Sequence, residues 1–242
     1  MSNIGSPNLD IRNVSVRLLH SMAAVGDVAI RETITKTCRT QLMSIVKSTN
    51  REDKNILAIT LETLRRLWDP NRTTASVVMD ALRVEISTTV VPLVVFWLEQ
   101  EETLLVCARL LRVITRQSEL FAMLIFNANV IPFFVSKLVA DTEETVYMAL
   151  GVLLDLCVGG AGADGVQMGS NMRRTAINDA GASPKFALLL VHPSERCRAT
   201  AAICLVSMCT NGDAGLLLMV RLLEKMIIPN LKAPLTLVRD VE

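Results

Sequence analysis

Aromatic residues are scarce in this 242-residue chain: they make up 4% of it, and there is a single tyrosine. An interior without them must be aliphatic. Leu, Val, Ile, Ala and Met suit helices packed closely on helices, not a sheet of alternating β-branched and aromatic residues. Charge of one sign is also missing. Lys and Arg total 25 against 24 Asp and Glu, for a net charge of +1, so the basic excess of a typical nucleic-acid binder is absent. Histidine is represented only by His20 and His192, and none of the six cysteines forms a C-x-x-C pair. That excludes the usual zinc spacings. No Ser/His/Asp set, paired carboxylates or metal cluster stands out, so no catalytic, cofactor or metal site is expected and the chain does not read as an enzyme.

What is abundant is apolar side chain: 51% of residues, with a mean hydropathy of +0.41. The longest run, Leu120 to Ala140, approaches the ~20 residues of a bilayer span. It contains Asn127, Asn129, Pro132, Ser136 and Lys137. Those polar groups predict a turn between two buried helices instead. The first residues, Met1 to Pro7, lack a basic region followed by an apolar core, so no secretory signal is expected. Cys107, Cys157 and Cys204 lie in apolar helical runs, where free cysteine acts as a small hydrophobe. Reduced thiols in the cytoplasm are the expectation.

The apolar residues are organised by a recurring proline step. Val91-Pro92-Leu93-Val94, Ile131-Pro132-Phe133-Phe134 and Ser183-Pro184-Lys185-Phe186 each open an apolar helix, and Ile228-Pro229-Asn230-Leu231 repeats the opening. The prolines stand 40, 52 and 45 residues apart. A period of ~40–47 residues is characteristic of stacked helical repeats. A second helix follows each opening, over 102–114, 144–156 and 196–208. Cys107, Ala149 and Ala201 share one slot in it, with Leu111, Leu153 and Leu205 four residues on. Small residues let neighbouring helices approach, and Leu one turn later fills the space. Residues 55–68 share this spacing, and residues 12–22 resemble the last helix of a unit whose beginning is missing. The expected units are 1–25 (partial), 26–72, 73–118, 119–160, 171–212 and 213–242 (partial). Both ends look incomplete, as in a trimmed chain or one whose ends are covered by neighbours. The Gly-rich stretch 159–170 is expected to be a flexible surface loop. It lacks the Gly-Lys-Ser/Thr ending and preceding strand of a phosphate loop.

The stretch Ile177 to Leu190, followed by Arg198 to Leu205, resembles the armadillo/HEAT superfamily: a short first helix, a Gly turn, a Pro-opened second helix and an Ala-rich third. Residues 126–132 are similar without the Gly, and 87–92 more distantly so; the resemblance covers about residues 40–232. It implies an all-α, right-handed α-solenoid of about five units, the terminal ones partial, and a protein-binding scaffold. One departure matters. Peptide-binding members of the nuclear-import type carry an Asn on the third helix that grips an extended peptide. The matching positions are Arg66, Val113, Asp155 and Ser207, which puts that mode of capture in doubt.

Two sets of residues are candidates for partner binding. Arg109, Arg112 and Arg116 fall on one helix face at i, i+3 and i+7, and Arg65 and Arg66 hold similar places one unit earlier. They form either a basic stripe for nucleic acid or an acidic or phosphorylated peptide, or a solvated face balanced by Glu99, Glu101 and Glu102. Trp68, at a helix end before Asp69-Pro70, is expected to be partly exposed, as an interface anchor or a helix-end packing residue. Phe96, Trp97, Phe133 and Phe134 have the spacing of core residues. The expected role is a non-catalytic scaffold or adaptor for other proteins, in a cytoskeletal, ciliary or trafficking assembly, with contacts at its ends and no small-molecule substrate.

Overall fold

The computed structural model describes residues 8–48, 54–68, 83–159 and 167–209. The opening at Ile228-Pro229, the last partial unit and residues 160–166 of the Gly-rich stretch lie outside them. The described residues contain eleven α-helices and no strand. They divide into two compact units, residues 8–128 and 129–209.

The first unit begins with α1 (Leu9–Val25), whose first turn is capped by Asn8 Oδ1 accepting from the Asp10 and Ile11 N–H groups at 2.9 and 3.3 Å. It continues through α2 (Val28–Ser48), α3 (Lys54–Leu67), a π-helical turn (Ile86–Val90), α4 (Val91–Trp97), α5 (Glu101–Thr115) and α6 (Glu119–Asn127). The second unit holds α7 (Ile131–Lys137), α8 (Glu143–Val158), α9 (Gln167–Asp179), α10 (Ala182–Leu189) and α11 (Glu195–Cys209). Each proline step opens a helix where its missing N–H is not needed: Pro92, Pro132 and Pro184 sit in the first turns of α4, α7 and α10.

How the chain enters each of these helices depends on the residue available before the proline. Gly181 takes a left-handed conformation (φ +79°), which only glycine adopts freely, and ends α9 sharply. Asn129 does the same work between α6 and α7 at φ 55°, as a short polar side chain can. Before α4 stand Thr88, Thr89 and Val90, whose branched Cβ atoms resist that region. There the helix is not broken. It widens by one residue, with the Val91 N–H donating to the Ile86 carbonyl, and passes straight into α4. The expected break within residues 120–140 is present: α6 and α7 flank Asn129.

The core of each unit is a pair of parallel long helices. In the first, α3 and α5 share one pattern of burial, with Leu57, Leu61, Leu64 and Leu67 matching Leu104, Ala108, Leu111 and Ile114. Their starts are joined by Lys54 Nζ to Glu102 (2.9 Å), and their ends by Gln117 Nε2 donating to the Trp68 carbonyl (2.6 Å). In the second, the α11 thiols of Cys197 and Cys204 point at the α8 carbonyls of Glu143 and Leu150, at 3.8 and 3.6 Å. Both pairs advance by seven residues, so the helices run in register. A thiol serves here because it is small enough for close approach and still donates weakly. The aligned slots Cys107, Ala149 and Ala201 are buried, as are Leu111, Leu153 and Leu205.

Some expectations are corrected. The Gly-rich stretch is not loop to its end, because α9 begins at Gln167 and buries Ser170. Phe96 is not a core residue: it is 52% exposed, its ring edge against the buried Trp97. Phe134 is buried, whereas Phe133 is half-buried under Lys137 Nζ at 5.2 Å.

At the α1–α2 corner, a Cβ on Gly26 would stand 2.6 Å from the Met22 carbonyl oxygen and 2.7 Å from Ile30 Cγ2. Gly26→Ala is therefore expected to lower unfolding free energy by about 1–3 kcal/mol in urea denaturation followed by circular dichroism. Gly181→Ala meets open space and only left-handed strain, so its expected loss is about 1 kcal/mol.

Candidate functional site

Parallel stacking places the carboxyl ends of neighbouring long helices on one edge, where four carbonyls per helix lack internal partners and the helix dipole is negative. The side chains that meet this need come from later in the chain. Arg31, buried in α2, donates through Nε to the Ala23 carbonyl of α1 at 3.0 Å. Gln117 donates to Trp68 and Val113. Arg173, fully buried in α9, donates to the Leu156 carbonyl of α8 at 2.7 Å, and Arg174 donates to Cys157 at 3.2 Å. These capping residues carry no periodic signal in the sequence. The opposite ends hold acids: Glu101 and Glu102 in α5, Glu143 and Glu144 in α8, and Glu195 in α11.

The candidate arginines lie toward this carboxyl-terminal edge, except Arg109 in the middle of α5. Arg65 and Arg66 occupy the last turn of α3, Arg112 the last turn of α5, and Arg116 follows it. By the matched burial of the two helices, Arg65 aligns with Arg112, Glu62 with Arg109, and Arg66 with Val113. Glu62 accepts from Arg65 at 2.7 and 2.8 Å and from Arg66 at 3.3 Å. Burial pushes the Glu62 carboxyl up, but the hydrogen bonds and charge of Arg65 and then Arg66 outweigh it and hold it low. The α3 arginines are thus balanced locally. On α5, Arg109 and Arg116 are exposed and Arg112 is half-buried.

Trp68 departs from expectation. It is only 3% exposed, packed at the end of α3 where Leu64, Leu67, Leu42 and Met43 line the same narrow apolar cleft. That cleft, with the Arg39–Glu85 ion pair on its wall (2.6 Å), has room for about one water molecule. Burial of the ring removes it as an exposed anchor.

In the second unit the equivalent face changes character. Asp155, at the position of the peptide-gripping Asn, is buried, and Gly151 with it. On α11 the corresponding residues are Ile203, 52% exposed, and Ser207, half-buried, with Val206 53% exposed beside them. Arg196 closes the amino-terminal end of this face, pairing with Glu143 and Glu144 and lying 4.7 Å over the Tyr147 ring. Burial pushes the Cys107 and Cys157 thiols up to about 12, which leaves them protonated and inert at neutral pH. Among the described residues no His, Cys, Asp and Glu side chains gather as a metal site requires. No single described helix is long and apolar enough to cross a membrane.

His20 of α1 sits against α3, its Nδ1 3.5 Å from Thr63 Oγ1. Burial, then the Arg66 charge, lower its pKa from 6.5. The unfolded chain consequently binds this proton more readily than the folded one. Its effect is absent well above the unfolded value, and folding stability falls as pH drops through about 6.5. Between about pH 7.5 and pH 5.5, the urea midpoint of a His20→Gln variant is expected to fall less than that of the parent.

No protein-family model matches the chain, and no curated protein matches it either. Solved structures do. A designed armadillo repeat protein in complex with the peptide (KR)4 superposes with a TM-score of 0.73 at 14% identity, covering 91% of this chain and 85% of that one. A computationally designed armadillo repeat protein for modular peptide recognition gives 0.73 at 15% identity, over 96% and 88%. An engineered protein from a structural genomics effort gives 0.72 at 17%, over 91% and 82%. At such identities the likeness concerns fold. The chain has the all-α fold of the armadillo-repeat solenoids.

Proposed function

We propose that this protein is a non-catalytic interaction scaffold that holds protein partners, as a subunit of a larger cytoskeletal, ciliary or trafficking assembly in the reducing cytoplasm. The observation that carries the reading is a set of exposed aliphatic side chains in the second unit. Ile203 and Val206 on α11, Leu188 on α10 and Val191 in the turn after it are 49–53% exposed. Surfaces of this kind mark protein contacts. The designed relatives in fold support it, since one binds the peptide (KR)4 and another was made for peptide recognition. Capture here differs from an Asn-ladder grip, because Arg66, Val113, Asp155 and Ser207 stand at those positions.

A second reading rests on α5. Arg109, Arg112 and Arg116 share a face, with Arg65 aligned beside Arg112 on the parallel α3. An acidic or phosphorylated peptide, or a nucleic-acid backbone, is the complementary ligand.

Two experiments test these readings. Co-purification with cross-linking and mass spectrometry is expected to recover a protein partner cross-linked to α10 or α11, and to lose it in an Ile203→Glu/Val206→Glu double variant. Recovery of the chain alone, or binding indifferent to that variant, contradicts the scaffold reading at this face. For the second, anisotropy titration of an acidic phosphopeptide and of single-stranded RNA against the Arg109→Glu/Arg112→Glu/Arg116→Glu variant is decisive. A tenfold or greater loss of affinity is expected if α5 is the site (~1.4 kcal/mol), and unchanged affinity removes it.

A further inference from the structure

α1 is apolar on two separate faces. Val16, Leu19 and Ala23 turn inward and are buried, α1 packing against α3 and α2. Ile11, Val14, Leu18 and Val25 turn outward and are 43%, 66%, 61% and 88% exposed. At about 100° per residue these four and Met22 fall within roughly 80° of arc, a straight seam along the helix. Beyond the Gly26 corner, Val28 and Ile30 of α2 are each 42% exposed, and Ile30 lies beside Met22 of α1. Next to the corner lies an open recess of about 220 Å³, lined by Met22, Ala29, Ile30, Thr33 and Ile34.

We propose that this α1–α2 face is the two-fold interface of a homodimer, in which Val25 of each copy enters the recess of the other. Three features favour a second copy as the occupant. The surface carries both a projection and an adjoining hollow of matching apolar character, the self-complementarity an isologous contact requires. Its area is sufficient: the side chains of Ile11, Val14, Leu18, Val25 and Ile30 expose on the order of 500 Å², so pairing removes on the order of 1,000 Å² in total, the threshold for a specific interface. Its charge does not oppose self-association. Asp10 and Asp27 are matched in number by Arg17 and Lys36, all exposed, and the Asp27 carboxylate already accepts from the Ile30 N–H at 2.9 Å.

This goes beyond the scaffold reading, and its test needs no partner. Sedimentation equilibrium of the purified full chain at micromolar to tens of micromolar concentration is expected to show a dimer. Val25→Glu and Leu18→Glu, at positions 88% and 61% exposed, are each expected to weaken it at least tenfold with unchanged helical circular dichroism. Val139→Glu, in the turn after α7 and 68% exposed, is the control expected to leave the dimer intact. A monomeric parent overturns the proposal and leaves the face to another protein. A dimer that survives both α1 substitutions, or that Val139→Glu dissociates, overturns it as well.

Discussion

Parallel packing of long aliphatic helices is the constraint from which the other features follow. Helices stacked on both sides must be apolar on two faces, which accounts for a composition rich in Leu, Val and Ala and poor in aromatics. Close approach requires small residues in the middle of each helix, and Cys107, Ala149 and Ala201 supply them. Parallel rather than antiparallel neighbours add their dipoles instead of cancelling them. The acids of the first turns and the arginines of the last turns are the electrostatic answer. Much of what looks like a binding stripe on α3 is part of that answer, since Glu62 holds Arg65 and Arg66 in place.

The parts of the fold that were legible in the sequence are those written in backbone chemistry and apolar period. Proline can stand only near a helix start, so Pro92, Pro132 and Pro184 marked α4, α7 and α10. The repeated small-residue and Leu slots marked α5, α8 and α11. α2 was harder to read, because its exposed Thr33, Lys36, Thr37 and Thr40 dilute its apolar face. The helical start at Gln167 was hidden by the glycines before it.

The candidate site was less legible for a different reason. A residue's tendency to be exposed is decided by what lies across from it, and that partner is tens of residues away. Trp68 is enclosed by α2 and α3 side chains, and its carbonyl is met by Gln117, 49 residues on. Phe96 and Trp97 are neighbours in sequence, yet successive residues point ~100° apart on a helix, so one is buried while the other faces solvent. Arg173 is the clearest case. An arginine in a polar segment reads as surface, yet Arg173 is fully buried, its Nε meeting the Leu156 carbonyl at the end of α8.

The origin of the helix caps has a directional consequence. α1 is closed by Arg31, α3 by Gln117 and α8 by Arg173 and Arg174, in each case by a residue that comes later in the chain. Dependence therefore runs one way. During synthesis α1, α3 and α8 leave the ribosome with their carboxyl ends open and are completed only when the capping segment arrives. Loss of material from the amino-terminal side removes helices but no caps. Loss from the carboxyl-terminal side opens the helix upstream of the cut, so these units should fray vectorially, from the C-terminus backwards.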